Sequence, residues 1–203
     1  MATAPNPGTA VASQPTFAQL VSLACHDLRT PLATASGFAH TLVRLDSLEA
    51  PANRYVEMIG AASEQMAQLL DLLGAAARVE AGRFESQTRP TDSRYLADAA
   101  AARLGDEAEV GGDGQTVGVD PVWAETALAA LGECVRRHGA LETVAYTVAG
   151  PAVSIGPVRD GVAAIALGED LKDFGAAVGV RVLRAMGAEL SVDGETLTIR
   201  LPE

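Results

Sequence analysis

The chain has 203 residues, 48% of them apolar, and 26 acidic against 15 basic side chains give it a net charge of -11. That length buries one sizeable core or two small ones, and two domains is the working expectation. Lys172 is the single lysine, so the composition offers no basic patch to track a phosphate backbone and argues against nucleic-acid binding.

Aromatic residues make up 4% while Ala and Gly abound, which suits helices packed through small side chains. Cys25 and Cys134 stand far apart, without the clustered spacing of a disulfide framework or zinc site. Residues 1–15 carry Pro, Ala and Ser but no basic start followed by an apolar run, and read as a disordered tail with no signal peptide. No stretch approaches the ~18 consecutive apolar residues of a membrane span. The reading is a cytoplasmic protein, not a membrane one, that receives its signal from another molecule.

In chain order, Leu28, Leu32, Ala35, Phe38, Leu42 and Leu45 recur every three or four positions, predicting an amphipathic helix from Thr16 to about Ser47. Tyr55, Ile59, Ala62, Met66, Leu69, Leu73 and Ala76 form a second stripe, spaced alternately four and three. Ser47 and Pro51 reverse the chain between them, and Gly82 closes the second helix. Residues 16–82 therefore form an all-α helical hairpin. Its narrow stripes stay partly wet unless a second copy completes a four-helix bundle; the alternative is a monomeric core closed by the C-terminal half.

A polar linker, residues 83–90, leads into a second domain, residues 91–203. A helix is expected from about Ser93 to Leu104, then a Gly- and Asp-rich loop from Gly111 to Gly114. The next helix runs from Pro121 to about Arg137 with Asp120 as its cap. Strand patterns cover Thr143 to Val148, Ala152 to Ile155 and Glu195 to Leu201, with a helix from Ala176 to Met186 between the last two, ended by Gly187. This is an α+β two-layer sandwich, with helices on one face of a mixed sheet.

Chemistry concentrates in Ala24-Cys-His-Asp-Leu-Arg-Thr-Pro-Leu32. At about 100° per residue, His26 points some 200° away from Leu28 of the stripe and faces water, with Thr30 one turn further on the same face. Pro31 removes a backbone hydrogen bond and bends the helix beside the histidine. A neutral imidazole is nucleophilic near pH 7 when the attacking nitrogen lacks its proton, and the carboxylate of Asp27 can hold the other ring N–H or take up a proton. His40 and His138 have no motif around them and read as structural or solvated. Cys25 reads as a small packing residue.

The run from His26 to Leu32 resembles the H-box of the dimerising, histidine-phosphorylated domain of sensor histidine kinases. The resemblance implies that His26 is the phosphoacceptor, Asp27 the acidic residue that assists phosphorylation, and Arg29 a supporting residue. It also implies that Thr30 orients the water that hydrolyses the aspartyl phosphate of a response regulator. Arg78-Val-Glu-Ala-Gly82 is similar to the close of that domain, and the second domain resembles the GHKL-type ATP-binding domain that follows it.

There the pattern is eroded. Where the family places two asparagines four residues apart, this chain has Ala130 and Cys134, whose methyl and thiol supply none of the hard oxygens Mg²⁺ demands. Asp160 matches the aspartate that meets the adenine, but Val162 and Ala164 replace the glycines after it. The phosphate loop survives in part as Gly175 to Val180, with Gly179 kept and Ala177 in place of a glycine, and the lid from Gly168 to Phe174 is short. Asp160, Gly175 and Gly179 thus read as the remnant of a nucleotide site, with no resident metal or cofactor and with ATP and Mg²⁺ entering only if activity persists. The reading is a homodimeric protein that carries a phosphoryl group on His26 and exchanges it with response-regulator receiver domains. The alternatives are a weakly ATP-dependent kinase core, and a pseudokinase scaffold or regulator phosphatase.

Overall fold

A computed structural model describes residues 17–44 and 50–203; the N-terminal tail and most of the first interhelical turn lie outside them. Two helices come first, α1 (Phe17–Arg44) and α2 (Ala50–Glu80). Pro51 stands in the first turn of α2, where its missing N–H removes no intrahelical bond. Beyond Glu80 the chain turns at Gly82 with φ +62, and the Arg83 N–H reaches back to the Arg78 carbonyl at 2.8 Å. Glycine takes that left-handed conformation without strain.

The hairpin closes through small residues. On α1 the side chains turned inward are Ala18, Ser22, Cys25, Leu32, Ser36, Ala39 and Val43; on α2 they are Val56, Gly60, Ser63, Ala67, Leu70, Gly74 and Ala77. Both sets step by alternating threes and fours, except that Arg29 fills the α1 slot between Cys25 and Leu32. Small residues let the helix axes approach, and Cys25 is a buried packing residue as the sequence predicts.

The large apolar stripe is a different face. Leu28, Phe38, Leu42, Tyr55, Ile59, Met66, Leu69 and Leu73 are all exposed, Phe38 at 68% and Tyr55 at 65%. The C-terminal half packs on the far end of α2, where Leu72, Ala75, Ala76 and Val79 meet Val178 and Val182. Among the described residues of the single chain, the large apolar stripe stays exposed.

The second domain opens with β1 (Arg89–Asp92), which pairs antiparallel with β3 (Thr116–Val119). Its main sheet has the order β2 (Ala108–Gly114), β4 (Val144–Gly150), β5 (Ala152–Gly156), β7 (Thr196–Arg200), β6 (Glu189–Asp193). The β2–β4 pair is parallel and the others antiparallel, so the sheet is mixed, as the pattern predicts. Helices α3 (Ser93–Ala102), α4 (Pro121–His138), α5 (Ala163–Ala166) and α6 (Phe174–Ala185) complete it. Alternation on β4 sends Val144, Tyr146 and Val148 into the core and Ala145, Thr147 and Ala149 outward. Leu96, Leu128, Leu131, Leu183, Leu197 and Ile199 fill the layer between helices and sheet.

One local expectation needs correction. Gly111 to Gly114 is not a loop but the end of β2, because Gly112 at φ +89 lets the strand run against β4: a Cβ there would stand 2.0 Å from the Val148 carbonyl oxygen. The stretch from Gly175 to Val180, named above after the phosphate loop it resembles, lies within the helix expected from Ala176 to Met186: it forms the opening turns of α6, where Asp173 caps the helix, its carboxylate accepting the Ala176 N–H at 2.9 Å.

Candidate functional site

His26 lies in the middle of α1 with its side chain exposed. It lines a groove of about 520 Å³ between the two helices, with Arg29, Thr30, Ser36, Ser63, Glu64 and Asp71 among its neighbours. Leu28 and Pro31 line a separate apolar groove with Met66, Leu69, Leu73 and Phe174. His26 and Leu28 thus line different grooves, and α1 continues as helix through Pro31. Thr30 shares the groove with His26. The Asp27 side chain lies outside the described residues.

Across the groove, α2 contributes residues that motif reading does not single out. Asp71 accepts an ion pair from Arg29, whose Nε lies 3.2 Å from Asp71 Oδ1. Glu64 approaches His40, with Oε1 3.1 Å from the ring Nε2, and the buried Ser63 donates to the Ile59 carbonyl at 2.8 Å. Glu64 and Asp71 carry no motif, and no sequence pattern marks them as facing His26. The Arg29–Asp71 pair is exposed, so it orients the groove more than it stabilises the fold.

The glycines that the resemblance assigns to a nucleotide site pack against α4. A Cβ on Gly175 would meet the Ala130 Cβ at 3.4 Å, and one on Gly179 would meet the Ala127 carbonyl oxygen at 3.3 Å. The first turn of α6 therefore lies directly on α4, and Gly179 is a packing glycine. Asp173 sets its own negative charge at the N-terminus of α6, where its carboxylate accepts the Ala176 N–H. Burial pushes the Asp173 carboxyl up, but the Ala176 N–H and the Arg137 guanidinium outweigh burial and hold it below the usual carboxylate range. Val162 and Ile165 join the core, while Asp160 is exposed in the turn before α5.

Residues 18–82 match the His Kinase A (phospho-acceptor) domain, with His26 inside the matched span. That stretch, the helical hairpin, belongs to the His Kinase A (phospho-acceptor) domain family. The fold of the chain is similar to that of full-length ShkA in complex with AMPPNP, at TM-score 0.68 and 19% identity over 92% of this chain and 46% of that one. It is also similar to the Acinetobacter baumannii histidine kinase AdeS, at TM-score 0.55 and 16% identity over 87% of this chain and 97% of that one. The chain thus spans about half the length of ShkA. No curated protein matches its sequence. Among the described residues, no helix is long and apolar enough to cross a membrane.

Proposed function

We propose that this chain is a dimeric histidine phosphotransfer protein, in which His26 takes a phosphoryl group from the aspartyl phosphate of one receiver domain and gives it to another. The observation that carries the reading is the exposure of His26 on a groove it shares with Thr30. In the forward step an unprotonated imidazole nitrogen attacks phosphorus, the N–P bond forms, the acyl phosphate P–O bond breaks, and the receiver's aspartate leaves as a carboxylate. A receiver carries its phosphate on a protein surface, so the exposure of His26 supports the reading.

Dimerisation is supported by the exposed stripe on α1 and α2, whose groove of about 690 Å³ is lined almost wholly by apolar side chains. A soluble chain covers so long an apolar face with a partner, and a second copy offers the matching stripe. Loss of ATP chemistry is supported by Ala130 and Cys134 on α4, and by the Asp173 carboxylate on the α6 N-terminus. Two incubations test the reading. Phosphorylated receiver domains should label His26, whereas labelled ATP with Mg²⁺ should not. Label from ATP on His26 at a rate matching that from a receiver would replace this reading with an autokinase.

A further inference from the structure

One cluster remains outside the His26 groove and was invisible to motif reading. Cys134 and His138 lie four residues apart on α4, so they share one face one turn apart. Asp173, from the chain preceding α6, meets that face, and the thiol sulfur, a ring nitrogen and a carboxylate oxygen all lie within 4.8 Å of one another. Cys134 and Asp173 are buried, and His138 is half-buried.

We infer that Cys134, His138 and Asp173 form a three-ligand site for a soft divalent cation of the zinc type. A separate observation points the same way. His138 Nε2 is buried and makes no hydrogen bond, although Asp173 Oδ2 lies only 3.3 Å away. That contact is an ion pair only when the imidazole is protonated; a neutral ring leaves Nε2 without the hydrogen bond such buried atoms normally find. A cation seated between the two would satisfy both.

The donor set selects the ion. Sulfur, imidazole nitrogen and one carboxylate suit Zn²⁺ and Co²⁺, while Mg²⁺ and Ca²⁺ take all-oxygen shells. Three protein ligands also leave the fourth position of a tetrahedral ion open to water. Two local costs accompany binding. The Cys134 thiol, which burial and the neighbouring Asp173 charge push up to about 12, gives its proton to solvent as the sulfur–metal bond forms. Arg137, which donates to Asp173 Oδ2, withdraws from that oxygen; its side chain is 57% exposed and has water to move into. The ion would then tie α4 to the start of α6, the helix that packs on α2.

The full chain, freed of metal and kept reduced, is titrated with Co²⁺ as the probe. The expected result is one equivalent bound, with the intense visible bands of a four-coordinate ion and a near-ultraviolet sulfur-to-cobalt band. Zn²⁺ should abolish both, and excess Mg²⁺ should leave them unchanged. Cys25→Ser should keep the sulfur band and Cys134→Ser should lose it. Should Cys134→Ser fail to fold, His138→Ala decides. Loss of a direct ligand should weaken Co²⁺ binding at least about tenfold, as loss of outer-shell partners already does. Absence of the sulfur band from the wild-type chain, its loss in Cys25→Ser, or unchanged affinity in His138→Ala would each overturn the site.

Discussion

Replacing Leu69 gives a quantitative check on the dimer. Its side chain is 45% exposed on α2 in the single chain, within the stripe assigned to the partner copy. Full burial of a leucine is worth about 1.5–3 kcal/mol, so covering the remaining near-half recovers roughly 1 kcal/mol per chain. A twofold interface contains the residue twice, and Leu69→Ala should weaken association by about 2 kcal/mol, or roughly thirtyfold in dissociation constant. Leu69→Asp should do more, because two carboxylates would be desolvated at the centre of an apolar seam. Sedimentation over a dilution series reads both effects, with circular dichroism to show that each variant keeps its helices. A wild-type chain that is monomeric at every concentration, or a Leu69→Asp variant as dimeric as the parent, would refute the assignment of this face.

Three other outcomes follow from the geometry. Gly132→Ala would drive a Cβ to within 1.8 Å of the Tyr146 hydroxyl, which is buried and donates to the Leu128 carbonyl at 3.0 Å; overpacking of this kind costs about 1–3 kcal/mol or more, and thermal unfolding should show it. Arg29→Ala and Asp71→Ala, combined in a double-mutant cycle, should couple by less than about 1 kcal/mol, because the pair is exposed and screened. Thr30→Ala should slow hydrolysis of a regulator's aspartyl phosphate while leaving phosphoryl transfer to His26 largely intact, as measured by following both products in one reaction.

The parts of this molecule that sequence makes legible are those in which one local rule decides. The hairpin follows from hydrophobic period, α4 from Asp120 and Pro121 at its start, and β4 and β7 from strict alternation. The heptad-like stripe of large side chains was equally plain, yet it does not close the hairpin. Gly60, Ser63, Ala67 and Gly74 do that, and their low hydrophobicity hides them from a pattern search although their spacing is just as regular. Gly112 reads as a loop residue because glycine disfavours strands in isolation, whereas here the approach of Val148 demands it. β6 escaped notice because Glu189, Ser191 and Asp193 outnumber Leu190 and Val192 in so short a run.

The site divides in the same way. His26 and Thr30 lie one turn apart, so a helical wheel places them together. Asp71 and Glu64 reach the groove from another helix, and no spacing within α1 foretells them. Asp173 is further still from Cys134 and His138 in sequence, and only the packing of α6 on α4 brings its carboxylate to them. Side chains that meet through tertiary contact leave no periodic trace, which is why the groove is half legible and the Cys134 cluster only in the four-residue spacing of Cys134 and His138.

The central claim is tested most directly by mixing the wild-type chain with a receiver domain phosphorylated on aspartate and following both proteins over time. Phosphate lost from the receiver should appear on this chain as an acid-labile, base-stable group that maps to the peptide containing His26, and His26→Gln should receive none. Receiver phosphate that passes to water with no labelled His26 at any time, or label that persists in His26→Gln, would contradict it.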